Sequence, residues 1–504
     1  MRKWKSALAL GAVVLALLVS FTGESEARIM LTDSIYLEGF ARYTLGVHTG
    51  SHNPYNELYG QDENHDYNLA RAMLQGELTY KPSQNFKAFA KLRFTHDHTQ
   101  HIDGALLDYN AQPLDVPSSD WTMMKMSNDE ARAEVWELYT DLQLGDLWLR
   151  LGKQQISWGE MIGVRITDQV NALDTSWHLT MEPEEYENIR IPNWMLRGVY
   201  QFGAIECLNL RDSYLEAFVN PGDITPNQGP VPGNPYNQQG PFPAFFNIDD
   251  KDHRGDTEYG FRTGGMLNEF YFTLIYMKVF SDSYKLQTVG FTPDPVNGRP
   301  FFAAEGDPTL YSALIDARYK KVDVFGFTCN YEIPPPFGTV ATLEASWTPD
   351  AAWGKAGASL PEIEEQGEFV YSLALNRPTT ILPRMIMGSP IPLTAITLQF
   401  VQYIREGENR DILGPGNSIM EHTQELVVFN IKQDLLYRAL TVGFQTIIDL
   451  DDAYQLKPSI TYRHSDDWYV DLVGVFFSGA ETQAGRLGYL DYADEIYARF
   501  TYQF

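Results

Sequence analysis

The last eleven residues, Asp494 to Phe504, read Asp-Glu-Ile-Tyr-Ala-Arg-Phe-Thr-Tyr-Gln-Phe. In an extended chain Ile496, Ala498, Phe500, Tyr502 and Phe504 fall on one side, and Glu495, Tyr497, Arg499, Thr501 and Gln503 on the other. Strict alternation with period two is what a strand needs when one face meets an apolar medium and the other meets water. A helix would scatter both sets around its circumference, so the period excludes one here. A half-buried closing strand of a soluble β-protein shares the pattern. The remainder of the chain has to separate the two.

The same two-faced text recurs. In 69–81, Ala70, Ala72, Leu74, Gly76, Leu78 and Tyr80 oppose Arg71, Gln75, Glu77, Thr79 and Lys81. In 85–96, Phe86, Ala88, Ala90, Leu92 and Phe94 oppose Lys87, Lys91, Arg93 and Thr95. In 454–464, Tyr454, Leu456, Ile460 and Tyr462 oppose Gln455, Lys457, Ser459, Thr461 and Arg463. Pro458 removes one ladder donor from that strand, which counts against it unless a bulge lies there.

Counted in order, about eighteen such segments (16–20) run from residue 35 to the end. Connections after odd-numbered strands are mostly long, among them 156–192, 213–256 and 348–366; those after even-numbered strands are short, such as Gly145-Asp146 and Gly203-Ala204. Two break the parity: 377–391 is long and 450–453 short. Long external loops alternating with short periplasmic turns are the arrangement of a transmembrane β-barrel, and a soluble sandwich has no reason to keep it.

The front of the chain agrees. Arg2, Lys3 and Lys5 precede an apolar run from Ala7 to Val19 and a small-x-small site ending at Ala27, the text of a cleaved secretory signal peptide. Residues 28–504 then form the exported domain. No later run is apolar and long enough for a membrane helix, so a closed barrel is the remaining way to satisfy every backbone polar group in lipid. The 29 tyrosines and 10 tryptophans suffice for aromatic girdles at both interfaces. A net charge of −28 argues against nucleic acid as a partner and suits loops in a lipopolysaccharide layer bridged by divalent cations.

At this strand number the interior is wide enough for a water-filled lumen unless loops fill it. Alternation points Arg42, Arg71, Lys87, Lys91, Arg93, Arg150, Arg197 and Arg262 inward, with Glu38, Glu77, Glu137, Asp141 and Glu258 on the same half and Glu344 further round. Inward charges need water or partners. Either a salt-bridge lattice stiffens the wall, or a basic ladder draws anions. Lys87, Lys91 and Arg93 are the foremost selectivity candidates, because three cations on one short strand face are not expected to be neutralised locally.

Catalytic and metal signals are weak. No Gly-x-Ser-x-Gly elbow or phosphate loop occurs, so no enzyme and no cofactor are expected. His96, His98 and His101 with Asp97 and Asp103 read as a solvated loop, and Asp249, Asp250, Asp252 and Asp256 lack calcium-loop spacing. Cys207 and Cys329 lie in strands that are not neighbours and read as unpaired wall residues.

Residues 147–200 carry the most specific text: Gly152-Lys-Gln-Gln-Ile-Ser-Trp-Gly-Glu160, Asp168-Gln-Val-Asn171, Asp174 and Arg190-Ile-Pro192 through Trp194-Met-Leu196. This resembles a porin-like outer-membrane family of Gram-negative bacteria, known mainly as a domain of unknown function and often encoded beside RND-type exporters. Ala172 departs from it, standing where the family tends to have proline. The resemblance implies a barrel, the Gram-negative outer membrane and an optional exporter partner; it leaves the cargo open. The closing Phe500, Tyr502 and Phe504 are similar to the insertion signal read by the barrel-assembly machinery. Within the motif, loop 156–192 holds Trp158, Glu160, Arg165, Asp168, Asp174 and Arg190, with Gly159 and Gly163 free to turn it into the lumen. Its charges either fasten it to the wall or select solutes. The leading expectation is a channel for small solutes, hydrophobic or anionic. The alternatives are a structural barrel within an export or electron-transfer complex and, behind it, a barrel hydrolase.

Overall fold

The computed structural model describes residues 28–504 except most of 51–66, 100–119, 122–124, 128–130, 179–185, most of 223–256, 282–284, 293–311, 415–418, 480–486 and scattered positions elsewhere. The leader at 1–27, His101, Asp103 and the aspartates at 249, 250, 252 and 256 lie outside the described residues. Among the described residues eighteen strands form the wall. They are β1 Ile35–His48, β2 Tyr67–Ser83, β3 Phe86–Asp97, β4 Ala131–Leu144, β5 Leu147–Gln154 and β6 Asn193–Ile205. There follow β7 Leu210–Asn220, β8 Glu258–Leu267, β9 Phe270–Phe280, β10 Lys321–Ile333, β11 Thr339–Lys355 and β12 Ile363–Thr379. The last are β13 Thr394–Arg405, β14 Thr423–Leu435, β15 Leu440–Asp449, β16 Ala453–Arg463, β17 Trp468–Ser478 and β18 Glu495–Gln503.

Each strand pairs antiparallel with the next, and β18 returns to β1 from Phe40↔Gln503 to His48↔Glu495, so the sheet has no free edge. The alternation sorts the faces. Leu92, Leu151 and Phe500 stand 52%, 62% and 52% exposed on the outside, whereas Glu344, Val401 and Val428 on the inside are 0% exposed. No described helix is long and apolar enough to cross a membrane. Outside, Tyr276 packs on Phe261 and Phe325, and Phe325 on Trp347, which continues an aromatic band across β8–β11. At the other end of the wall Trp468 and Tyr502 rings lie 4.6 Å apart, with Phe504 beside them.

Several strand boundaries differ from the sequence expectation. The β6–β7 hairpin turns at Glu206–Leu208 and Asn209, not at Gly203-Ala204, so β7 is Leu210–Asn220 rather than 205–212. Cys207 therefore sits exposed in that turn rather than in the wall, while Cys329 stays in β10, and both are free. Strands β11 and β12 run 17 residues each, which shortens the loop expected at 348–366 to the seven residues 356–362. Residues 312–318 join Phe246–Ile248 and Lys285–Thr292 in a separate three-stranded sheet, so β10 begins at Lys321 rather than 318. Pro458 causes no register slip: pairing with β17 resumes in the same register at Ser459↔Val473 after Leu456↔Phe476, and only the intervening rungs are missing.

The short β15–β16 turn keeps its broken parity and crowds five acids at the external rim. Burial first, then the neighbouring Asp449, Glu421, Glu425 and Asp452, push Asp451 up to about 6. A folded-state value above that of the unfolded chain means that the folded barrel binds the proton more tightly. Stability is therefore gained as pH falls through that value and lost as pH rises. We expect Asp451→Asn to raise the thermal midpoint at pH ~7.5, to raise it less at pH ~4.5, and to leave it nearly unchanged only below pH ~3.5, where the carboxyl is largely protonated in the folded and unfolded chain alike. Equal midpoints for variant and parent at the higher pH would contradict this assignment.

Candidate functional site

The inner wall of β2–β8 is a lattice of neutralised cations. Lys91 Nζ lies 3.1 Å from Glu77 and 3.5 Å from Glu137. Arg93 donates to the Asn188 carbonyl at 2.6 Å, reaches Gln75, and its guanidinium lies 3.8 Å over the Trp136 ring. Arg71 pairs with Asp97 at 3.4 Å, Arg150 grips Asp141 with two nitrogens at 2.7 and 3.0 Å, and Arg42 donates to Thr501. The expectation that Lys87, Lys91 and Arg93 escape local neutralisation thus fails for Lys91, which has two carboxylates, whereas Arg93 is held by neutral acceptors and a ring face. Inward positions on adjacent strands stand directly opposite one another, and β2 and β4 supply acids or ring faces at those rungs. Lys87 differs. Among the described residues its ammonium makes no ion pair or hydrogen bond and sits 5.0 Å from the Phe89 ring and 5.6 Å from that of Tyr139.

The segment from Gln154 to Asn193 starts and ends at one rung, since those two residues pair across β5 and β6. Between them it reaches two separate stretches of inner wall. On β6–β10, Ile156, Trp158 and Val170 join Met195, Phe218, Ile275, Met277 and Val324 in a buried cluster. Trp158 Nε1 donates to Glu216 at 2.8 Å, and the same carboxylate holds Arg197 and Arg262, each at 2.7 Å. On β11–β14, Ile166 packs with Val370, Val401, Tyr403 and Leu426. There Glu344 accepts the backbone N–H groups of Glu160 and Thr167 and the Thr167 hydroxyl, all at 2.8 Å. Close approach explains one glycine, because a Cβ at Gly159 would meet Asp168 at 2.9 Å and Glu344 at 3.1 Å. Gly163 takes φ +73°, which glycine alone adopts without strain.

The charges named in this segment fasten it internally. Arg190 and Arg165 both reach Asp168, at 2.5 and 3.6 Å, and Arg165 also donates to the Asn171 carbonyl. Glu160 accepts from Asn330 on β10. Asp174 meets Arg132 on β4 at 2.5 Å and accepts from Ser176. Burial alone would raise the Asp174 carboxyl, but the Arg132 guanidinium and the Ser176 donors hold it below the ordinary range. Glu344 was placed on the inner face by its alternation alone, without a role. Glu216 was missed, although inward arginines on both neighbouring strands, Arg197 and Arg262, call for an acid between them.

Nearer the external rim a third carboxylate gathers three chain segments. Glu495 is fully buried; it accepts from Asn68 at 2.9 Å and from the Tyr236 hydroxyl at 2.6 Å, and His178 Nε2 lies 2.7 Å away. Tyr236 comes from the β7–β8 connection and His178 from the β5–β6 connection, so both long loops meet the closing strand at one group. Burial, then the Glu495 charge, push the Tyr236 phenol well above its ordinary value. Sequence spacing gives no hint of this junction, because its parts are separated by hundreds of residues.

The model of the family described as "Protein of unknown function (DUF1302)" matches residues 47–454. The chain belongs to this family. Comparison of this family member with curated proteins gives no match. Among solved structures it is similar to Acinetobacter baumannii OccAB4, with 8% identity and a TM-score of 0.48, over 94% of this chain and 99% of that one. Pseudomonas aeruginosa OpdK with vanillate is similar at 7% identity and a TM-score of 0.47, over 94% and 98%. Salmonella typhi OmpF in complex with daunomycin is similar at 11% identity and a TM-score of 0.38, over 95% and 100%.

Proposed function

We propose that this barrel is a channel of the Gram-negative outer membrane, with a lumen narrowed by the β5–β6 loop and a passage for small solutes that favours anions. The observation that carries the reading is the span of that loop from the Glu216 wall to the Glu344 wall, inside a cylinder lined with charged side chains. A lining of this kind suits a water-filled passage, and a fixed strap across it would restrict what passes. Anion preference rests on Lys87, the inward cation over the Phe89 and Tyr139 rings. On this reading residues 1–27 are the export leader, Phe500, Tyr502 and Phe504 present the insertion signal to the barrel-assembly machinery, and the long loops stand in lipopolysaccharide.

Reversal potentials in a salt gradient test the proposal. Lys87→Met is expected to lower the anion-to-cation permeability ratio ~2-fold or more while the barrel keeps its thermal stability. Lys91→Met strips Glu77 and Glu137 of their shared cation and is expected to destabilise the barrel by roughly 1–3 kcal/mol, since Glu137 is buried while Glu77 is a quarter exposed and keeps the Gln75 amide. An unchanged ratio in the Lys87 variant would remove the anion assignment. Absence of any current, even when the loop is excised, would remove the channel.

A further inference from the structure

The periplasmic turns of this barrel are not alike. Those between β2 and β3, β4 and β5, β8 and β9, and β16 and β17 are Gln84-Asn85, Gly145-Asp146, Asn268-Glu269 and His464 to Asp467, all short and polar, while the β6–β7 turn exposes the single apolar residue Leu208 beside Glu206 and Asn209. The three connections of β10–β15 are apolar at their tips. Phe337 is 60% exposed in the first, Met385 77% in the second, and in the third Leu436 is 65% exposed and Tyr437 fully so. These strands are neighbours, so the tips share one sector of the rim.

Two features mark this sector as built rather than incidental. The middle connection spends the residues between Thr379 and Thr394 on joining strands whose ends already face each other across one rung. In the third, Leu436, Tyr437 and Arg438 take φ values of +50°, +57° and +72°, three successive non-glycine residues in the left-handed region. That conformation is unfavourable for side chains bearing a Cβ, and it turns Leu436 and Tyr437 into the solvent. Aromatic residues that serve the lipid boundary behave differently here. Tyr80–Phe86, Tyr200–Phe202 and Trp468–Tyr502 pack as pairs against the wall, whereas Tyr437 has no ring contact among the described residues.

We propose that this sector is a docking surface for a periplasmic protein, one that presents an apolar face bordered by carboxylates. Charge chooses the border. In a chain of net charge −28 the described tips carry Arg384 and Arg438, both exposed, and Asp434 is only 3.9 Å from the latter in a loose, exposed pair. A central aromatic and methionine anchor with arginines around it is the composition of a protein-binding patch. The surface goes beyond the channel reading and does not depend on it.

Site-specific photo-cross-linking in intact cells, followed by binding of the identified protein to the purified full-length barrel in nanodiscs, tests the proposal. A photoreactive residue at position 437 or 385 is expected to give one discrete adduct, and one at 467, in a polar turn, none. The purified adduct partner should bind the parent barrel, bind Tyr437→Asp and Met385→Asp about tenfold or more weakly, and bind less tightly as salt rises. Heat-modifiable mobility establishes that both variants are folded. No protein adduct, adducts confined to phospholipid or to the assembly machinery, or a partner indifferent to both substitutions would overturn it.

Discussion

Excising the lumenal loop is expected to raise single-channel conductance several-fold and to leave the barrel folded. Gln154 and Asn193 face each other across β5 and β6, so a short Gly-Ser linker joins them without moving either strand. The ladder around the cylinder stays whole, and on the first wall Glu216 keeps Arg197 and Arg262 after Trp158 is gone. The second wall suffers more. Glu344 loses both backbone donors and the Thr167 hydroxyl, and Val370, Val401 and Leu426 lose the cover of Ile166. An uncompensated buried carboxylate is the larger penalty, so the excision is best combined with Glu344→Gln. In the intact chain Glu344→Gln alone should weaken the anchor at the Glu160 and Thr167 amides and give noisier current at nearly unchanged mean conductance. Planar-bilayer recordings distinguish these outcomes. Unaltered conductance after excision would mean that the loop is not the constriction.

Substituting Gly39 by valine is expected to abolish closure of the barrel. A Cβ at this position would stand 2.2 Å from the Gln75 carbonyl oxygen on β2 and 2.8 Å from the Phe504 ring. The first contact is with backbone and has nowhere to yield. The seam is made here: Gly39 N–H donates to the Phe504 carbonyl at 2.8 Å, and Phe504 N–H returns to Gly39 at 3.0 Å. The final aromatic therefore lies over a glycine and covers the backbone at the joint between the first and last strands, a device that compensates for glycine in sheets. The variant should lose more than ~3 kcal/mol, with its heat-modifiable folded band largely absent. Phe504→Ala removes the covering ring but adds no clash, so it should slow assembly and spare the folded state once formed. A Gly39→Val barrel with parental urea resistance would show that the seam is closed in some other way.

Much of this was legible in the chain itself. Period-two alternation acts within each segment, which is why all eighteen strands and the parity of their connections could be read without knowledge of their neighbours. Boundaries failed where a local signal had two meanings. Gly203 read as a turn residue, yet it takes φ +70° inside the β6–β7 pairing, where the register slips by one residue, and Asn209 at φ +49° makes the actual turn. The stretch 348–366 likewise read as a loop, but β11 passes through a bulge between Thr348 and Ala351 and continues. Inward charges were legible from parity. Their partners were not, because a cross-strand neighbour depends on register, and contacts such as Asp174 with Arg132 depend on where a long loop comes to rest.

The most direct measurement is spin-label accessibility along β16, with single cysteines from 454 to 463 in a Cys207→Ser, Cys329→Ser background. Labels at the even, outward positions, Tyr454, Leu456, Ile460 and Tyr462, should collide with oxygen dissolved in lipid. Those at Gln455, Lys457, Ser459 and Thr461 should be shielded from it, with the two reagents changing places at each residue. Equal exposure of both sets to a water-soluble nickel chelate, or a repeat nearer that of a helix, would mean that no wall divides hydrocarbon from the interior.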